Sequence, residues 1–322
     1  MRQPRIIIPN ETAVYHCISR CVGNQFLFDD QDKEQFRILL RQQADFCGLQ
    51  VITHNILDNH FHLEVRVTPP GELSDAELLG RAERFYPHQA PMLRRMQQEL
   101  ARDGALSNQL RQQLLRRMGN LSCFMKELKQ RFSRWYNGRH ERFGTLWAQR
   151  FTSVLVQDDP EVVLTIALYI DLNSVRAGLV PDPAQYRFCG YAEAAAGDPL
   201  AQAGLLSALG MESWESGGPE YRQMLFLAAG SAGAAGKALL NRQAILKVLG
   251  EKGKISYQEA LRLRVRYFSD GLVLGFKDYV EERFQQFRHQ FGKTRRTGAR
   301  KLRGLPFEKL RTLRDLRILP VS

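Results

Sequence analysis

The stretch NHFHLEV, residues 59 to 65, sets two histidines one residue apart in a run that alternates apolar and polar. Successive side chains of a β-strand point to opposite faces, so Phe61, Leu63, Val65 and Val67 share one face while His60, His62, Glu64 and Arg66 share the other. Two neutral imidazoles at that spacing can bind one divalent cation side by side, and the apolar face would hold the strand against a core. The plainer alternative is an exposed polar strand face. His54 falls in phase with Ile52 and Ile56, which points it toward packing rather than ligation. His62-Leu63-Glu64 also matches the His-x-Glu of zinc nucleobase deaminases. That chemistry needs a Pro-Cys-x-x-Cys partner, which this sequence lacks.

A second pair lies in ALYIDLNSVRAG, where Tyr169 and Asn173 stand four residues apart. On a helix that spacing is about 40° of rotation, so a phenol and an amide oxygen would lie on one face, one turn apart. The alternative has Tyr169 continuing an apolar stripe with Val162 and Ile166 while Asn173 frays the helix end.

The elements that must carry these residues follow from hydrophobic period. Residues 13–19 read as a strand, 32–46 as an amphipathic helix, and 50–57 and 61–67 as two strands joined at Asp58 and Asn59. Residues 68–119 read as a helical insertion. Leu121, Met125, Leu128, Phe132 and Trp135 then repeat at helical spacing, ending near Asn137-Gly138. Residues 150–157 read as a further strand, followed by a helix with Asp159 as N-cap and Pro160 at its first position. The series predicts an α+β fold with a ferredoxin-like antiparallel sheet and packed helices. Residues 1–195 would form this domain and 196–237 an Ala/Gly-rich linker region. Residues 238–322 would form a helical, basic C-terminal region containing RQAILKVLG, ISYQEALRL and DGLVLGFKDYVEERFQQFRHQFG as three helices.

Composition narrows the partners. The 322 residues are 44% hydrophobic and 25% charged, near the globular average. Lys and Arg number 46 against 34 Asp and Glu, a formal charge of +12, which favours a polyanion such as nucleic acid. Five scattered cysteines with no Cys-x-x-Cys pair argue against a disulfide framework or cysteine zinc site. No signal-peptide core is evident, and no run approaches the roughly 18 apolar residues of a membrane span. A soluble cytoplasmic protein is expected.

Taken together, NHFHLEV, GTLWAQRFTSVLV, YIDLNSVRAGLV and YRFCGY, in that order, resemble the HUH single-tyrosine transposases, and among them the REP-associated tyrosine transposases. The resemblance runs from about residue 8 to 192. It implies an HUH nuclease domain acting on single-stranded DNA with hairpin-forming repeats. It also implies Mg²⁺ or Mn²⁺ held by His60, His62 and Asn173, and Tyr169 as the nucleophile that forms a 5′-phosphotyrosine. Ser174 and Asp58 stand where the family usually has proline. For holding DNA, Arg134, Arg139 and Arg142 interleave with aromatic residues in the manner of single-strand binding. The tail of residues 293–304 adds Lys293, Arg295, Arg296, Arg300, Lys301 and Arg303 as phosphate contacts. Whether active sites form in one chain or across a homodimer is left open by the sequence. Two rival readings remain: a non-catalytic, domesticated DNA-binding protein, and an unrelated metallohydrolase using His60 and His62 with Glu64.

Overall fold

A computed structural model describes residues 5–229, 266–302 and 307–314. The chain opens with β1 (Ala13–Arg20), α1 (Asp30–Cys47), β2 (Leu49–Leu57) and β3 (His60–Val67). Helix α1 starts where Asp29 and Asp32 satisfy each other's backbone amides in a capping box, and it stops at Gly48, which takes the left-handed φ of 69° that glycine adopts without strain. Residues 68–119 contain α2 (Asp75–Phe85), α3 (Pro91–Asp103) and α4 (Asn108–Leu115). Then come α5 (Leu121–Arg139), β4 (Thr152–Val156), α6 (Pro160–Asp171) and the single turn α7 (Asn173–Arg176).

Strands β2-β3-β1-β4 lie side by side in that order, all antiparallel, the ferredoxin-like arrangement. Helices α1 and α5 cover one face. There Phe36 meets Phe61 at 4.6 Å and Phe132 at 5.0 Å between ring centroids, so the odd residues of β3 are buried as their period requires. Helix α6 covers the opposite face, the one that carries the histidines.

Residues 196–229 depart from the expected linker. After α8 (Gly190–Ala195) the chain forms α9 (Pro199–Leu209) and α10 (Trp214–Ala229), and α9 packs on β2. A Cβ on Gly204 would sit 2.5 Å from the carbonyl oxygens of Val51 and Ile52, so the small residues mark close helix-on-strand packing. Gly204→Ala is therefore expected to destabilise the protein by about 1–3 kcal/mol, visible as a lower thermal midpoint. Had this segment been a linker, the same change would leave stability equal or raised.

The C-terminal region also differs from an all-helical expectation. RQAILKVLG, ISYQEALRL and residues 230–237 lie outside the described residues. Beyond them are α11 (Arg266–Asp270), β5 (Val273–Phe276), α12 (Lys277–Gln286), β6 (Arg300–Lys301) and β7 (Leu310–Leu313). Strand β5 pairs parallel with β4, and β7 and β6 extend the sheet to seven strands. The apolar run LVLGF thus forms a strand and the helix begins only at Lys277, because the edge of β4 offers Val273 and Leu274 full burial. Among the described residues no helix is long and apolar enough to cross a membrane, and all five cysteines are free thiols.

Candidate functional site

The register of β1 against β3 sets Ile18 opposite His62 and His16 opposite Glu64, so His16 shares the face of the histidine pair. The rings of His60 and His62 lie 5.1 Å apart, and those of His16 and His62 also 5.1 Å. His16 Nε2 is 2.8 Å from His62 Nδ1, and His16 Nδ1 is 2.7 Å from the carbonyl oxygen of Phe268. His62 is 2% exposed and His16 fully buried. Burial, helped by its histidine neighbours, pushes His62 well below the usual imidazole range, and burial brings His16 down to about 4. Both rings are therefore neutral at neutral pH.

His60 stands at the mouth of the strand, half-buried. Its Nδ1 lies 2.5 Å from Asn59 Oδ1, and Asn59 Nδ2 donates to the Asn24 carbonyl at 3.1 Å. Asn24 adopts φ 53°, a left-handed conformation that asparagine tolerates, in the loop after β1. That loop is tied to the β2–β3 turn by Leu27 and Phe28 amides donating to the Asp58 carbonyl at 2.8 and 2.9 Å.

Tyr169 is brought over the pair by α6. Its ring centroid lies 6.1 Å from that of His16 and 6.3 Å from that of His62. The helix end is fixed by a buried network: Asp171 accepts from Thr53 Oγ1 at 2.8 Å and from the Tyr221 hydroxyl at 2.6 Å, and Asn55 Nδ2 donates to the Ile170 carbonyl at 3.0 Å. Burial raises the Asp171 carboxyl to about 7. Asn173 is 8% exposed, and its Nδ2 donates back to the Tyr169 carbonyl at 3.4 Å. Arg176 donates to the same carbonyl and sets its guanidinium 4.1 Å from the Tyr169 ring centre. Tyr169 itself is 1% exposed, with Phe268 edge-on at 5.1 Å. Tyr169 thus lies against His62 and His16, partly beneath the C-terminal segment, with His60 beside His62 and Asn173 bonded to the Tyr169 backbone one turn on.

Glu64 does not join them as a ligand or base. It is fully buried, neither carboxylate oxygen has a hydrogen-bond partner, and burial pushes it well above the usual carboxylate range. Burial thus disfavours the charged form of this carboxyl. His54 lies on the α1 face, fully buried, with neither ring nitrogen hydrogen-bonded and Nε2 3.6 Å from Glu193. Burial brings it down to about 4. In the unfolded chain it titrates near ~6.5, so between about pH 6.5 and 4 the unfolded chain binds a proton that the folded one refuses. Stability from this group is whole above that window and is lost as pH falls through it. Wild type is expected to lose about 3 kcal/mol more than His54→Leu between pH 7 and 4, measured by urea unfolding at both pH values.

Among the described residues one group of His, Cys, Asp and Glu side chains, Asp29, Asp32 and His140, brings its ligand atoms within 4.8 Å of one another. A guanidinium already fills it: Arg139 Nη1 is 2.6 Å from Asp32 Oδ1, and its Nη2 is 2.8 Å from Asp29 Oδ2. Arg139 is therefore bound to the cap of α1, at odds with its expected role on phosphate. Arg134 is exposed and Arg142 half-buried beside Tyr136. The buried Trp147 donates its Nε1 to the Lys129 carbonyl at 3.2 Å and belongs to the core, and Trp135, partly buried, stacks on Phe132 at its margin. In the tail, Lys293, Arg296, Arg300 and Lys301 are exposed. Arg295 instead donates to the Arg314 carbonyl at 2.6 Å and packs over Phe284 and Phe291. Arg303 lies outside the described residues.

Two aromatic residues that sequence reasoning missed face solvent. Phe26 is 79% exposed and Phe143 94%. Their loops meet through the Val22 amide, which donates to the Leu146 carbonyl at 3.0 Å. His16, Asn59 and Phe268 were missed as well. Only the phase of AVYHCISR hinted at the first of them.

No family model and no curated protein matches the chain. One similar solved structure is that of a REP-associated tyrosine transposase bound to a REP hairpin. It is 12% identical over 62% of this chain and 88% of that chain, with a TM-score of 0.39.

Proposed function

We propose that the protein is a metal-dependent single-stranded DNA endonuclease and strand transferase acting on hairpin-forming DNA. The observation that carries this reading is the Tyr169 ring set 6.3 Å from His62 and facing a histidine pair on one strand face. Two imidazoles and an amide oxygen fit a divalent cation, Mg²⁺ or Mn²⁺, with the nitrogen donors favouring the softer Mn²⁺. Such a cation, held by His60, His62 and Asn173, would neutralise the scissile phosphate and orient it.

The chain's own residues supply the rest. Tyr169 Oη attacks phosphorus as the bond to the 3′ oxygen breaks. The phenol loses its proton to solvent and the departing oxygen gains one, which leaves a 5′-phosphotyrosine and a free 3′ hydroxyl. The phosphodiester energy is kept in the tyrosyl linkage, so rejoining to another 3′ end needs no nucleotide cofactor. Arg134, Arg142, Lys293, Arg296, Arg300 and Lys301 serve the backbone, and the exposed rings of Phe26 and Phe143 offer stacking faces to unpaired bases.

A second reading, a non-catalytic DNA-binding protein that retains the fold, is favoured by the 1% exposure of Tyr169. One experiment separates the two. The protein is incubated with 5′- and 3′-labelled hairpin oligonucleotides, with Mn²⁺ or EDTA, and run on a denaturing protein gel. A Mn²⁺-dependent protein band carrying the label of the downstream fragment supports the nuclease. Tight, salt-dependent binding with no adduct on any hairpin supports the binding protein.

A further inference from the structure

We propose that His16 and Asn59 are positioning residues that hold His62 and His60 in the Nδ1–H tautomer, so that both rings turn an Nε2 lone pair toward one cation. This inference rests on the metal-binding reading of the pair.

The polarity follows from carbonyl groups, which can only accept. The Phe268 carbonyl lies 2.7 Å from His16 Nδ1, so that nitrogen carries the proton. A neutral ring has one N–H, which makes His16 Nε2 an acceptor. It faces His62 Nδ1 at 2.8 Å, so His62 Nδ1 donates and the His62 lone pair is on Nε2.

A second chain of bonds reaches the same result at His60. The Asn24 carbonyl accepts from Asn59 Nδ2 at 3.1 Å, which turns Asn59 Oδ1 to His60 Nδ1 at 2.5 Å. An amide oxygen only accepts, so His60 Nδ1 donates. Asn173 repeats the logic on a smaller scale. The Tyr169 carbonyl accepts from its Nδ2 at 3.4 Å, leaving the amide oxygen pointed elsewhere.

Three carbonyls on separate segments, the loop after β1, helix α6 and the start of the C-terminal segment, thus impose one polarity on the three candidate ligands. Partners of this kind fix the orientation of ligating imidazoles and raise their basicity. Their loss typically lowers metal affinity about 10–100-fold.

The test uses the full chain labelled with ¹⁵N-histidine. Long-range ¹H–¹⁵N spectra read each ring's tautomer without metal, and a Mn²⁺ titration followed by electron paramagnetic resonance gives affinity. Nδ1–H patterns are expected for His60 and His62. His16→Phe should randomise the His62 tautomer and weaken Mn²⁺ binding about 10–100-fold. His16→Gln should recover most of that loss, because its amide donates to the Phe268 carbonyl and accepts from His62. Asn59→Ala should do to His60 what His16→Phe does to His62. A proton on Nε2 of either ring in the wild-type protein overturns the proposal whatever the metal does, and this readout needs no variant to fold. Unchanged Mn²⁺ affinity in folded His16→Phe overturns it too. Nδ1–H rings in a wild-type protein that binds no Mn²⁺ would instead overturn the metal reading while the tautomer assignment stands.

Discussion

Tyr169→Phe is expected to bind hairpin DNA as the wild type does and to form no covalent adduct, a loss on the order of 10³-fold or more in adduct formation. The substitution removes one oxygen and keeps the ring that packs against Phe268, His16 and Arg176. Folding should therefore be near wild type, which a thermal midpoint within a few degrees would verify. With folding intact, a labelled adduct in the variant would assign the nucleophile elsewhere. The packing also sets a requirement on the reaction. On the proposed reading a ring that is 1% exposed meets a phosphate only when neighbours such as Phe268 or Arg176 give way, so adduct formation should be slower than DNA binding.

The second large effect is loss of metal. His60→Ala is expected to lower adduct formation about 10²–10³-fold, equivalent to about 3–4 kcal/mol of stabilisation of the reacting phosphate. His60 is the better probe of the pair, since it is half-buried and its removal leaves the buried His16–His62 contact intact. His62→Ala would strand His16 Nε2 in the core and confound chemistry with stability. EDTA should reproduce the His60→Ala loss in wild type, Mn²⁺ should restore it, and EDTA should add little in the variant. An adduct indifferent to EDTA would remove the cation from the mechanism.

Much of this was legible in the sequence because period two and period 3.6 are written in the residues themselves. The alternation of NHFHLEV gives the shared face of His60 and His62, and the β-α-β-β order gives the antiparallel core. The role of His16 is a matter of register. AVYHCISR shows which face His16 shares with Ile18, yet which β3 residue it meets is decided only when the strands pair. Two misreadings have a common cause. Small residues signal either a flexible chain or a close approach, and Gly204 is the second because α9 lies against the carbonyls of β2. LVLGF reads as the start of the helix that follows it, whereas the open edge of β4 makes it a strand. Local sequence carries no record of either neighbour.

The placement of β5 bears on how the site comes into being. The ferredoxin-like strands end at Val156, and among the described residues the edge of β4 is covered by Val273–Phe276, from far along the chain. Before Val273–Phe276 docks, the β4 edge lacks this partner, and an uncovered apolar strand edge is a hazard for wrong pairing. The same late segment brings the Phe268 carbonyl to His16 and the Phe268 ring to Tyr169. Docking of this segment completes the sheet and seats Phe268 against His16 and Tyr169 in one event, so on the proposed reading the site is incomplete until those strands are in place.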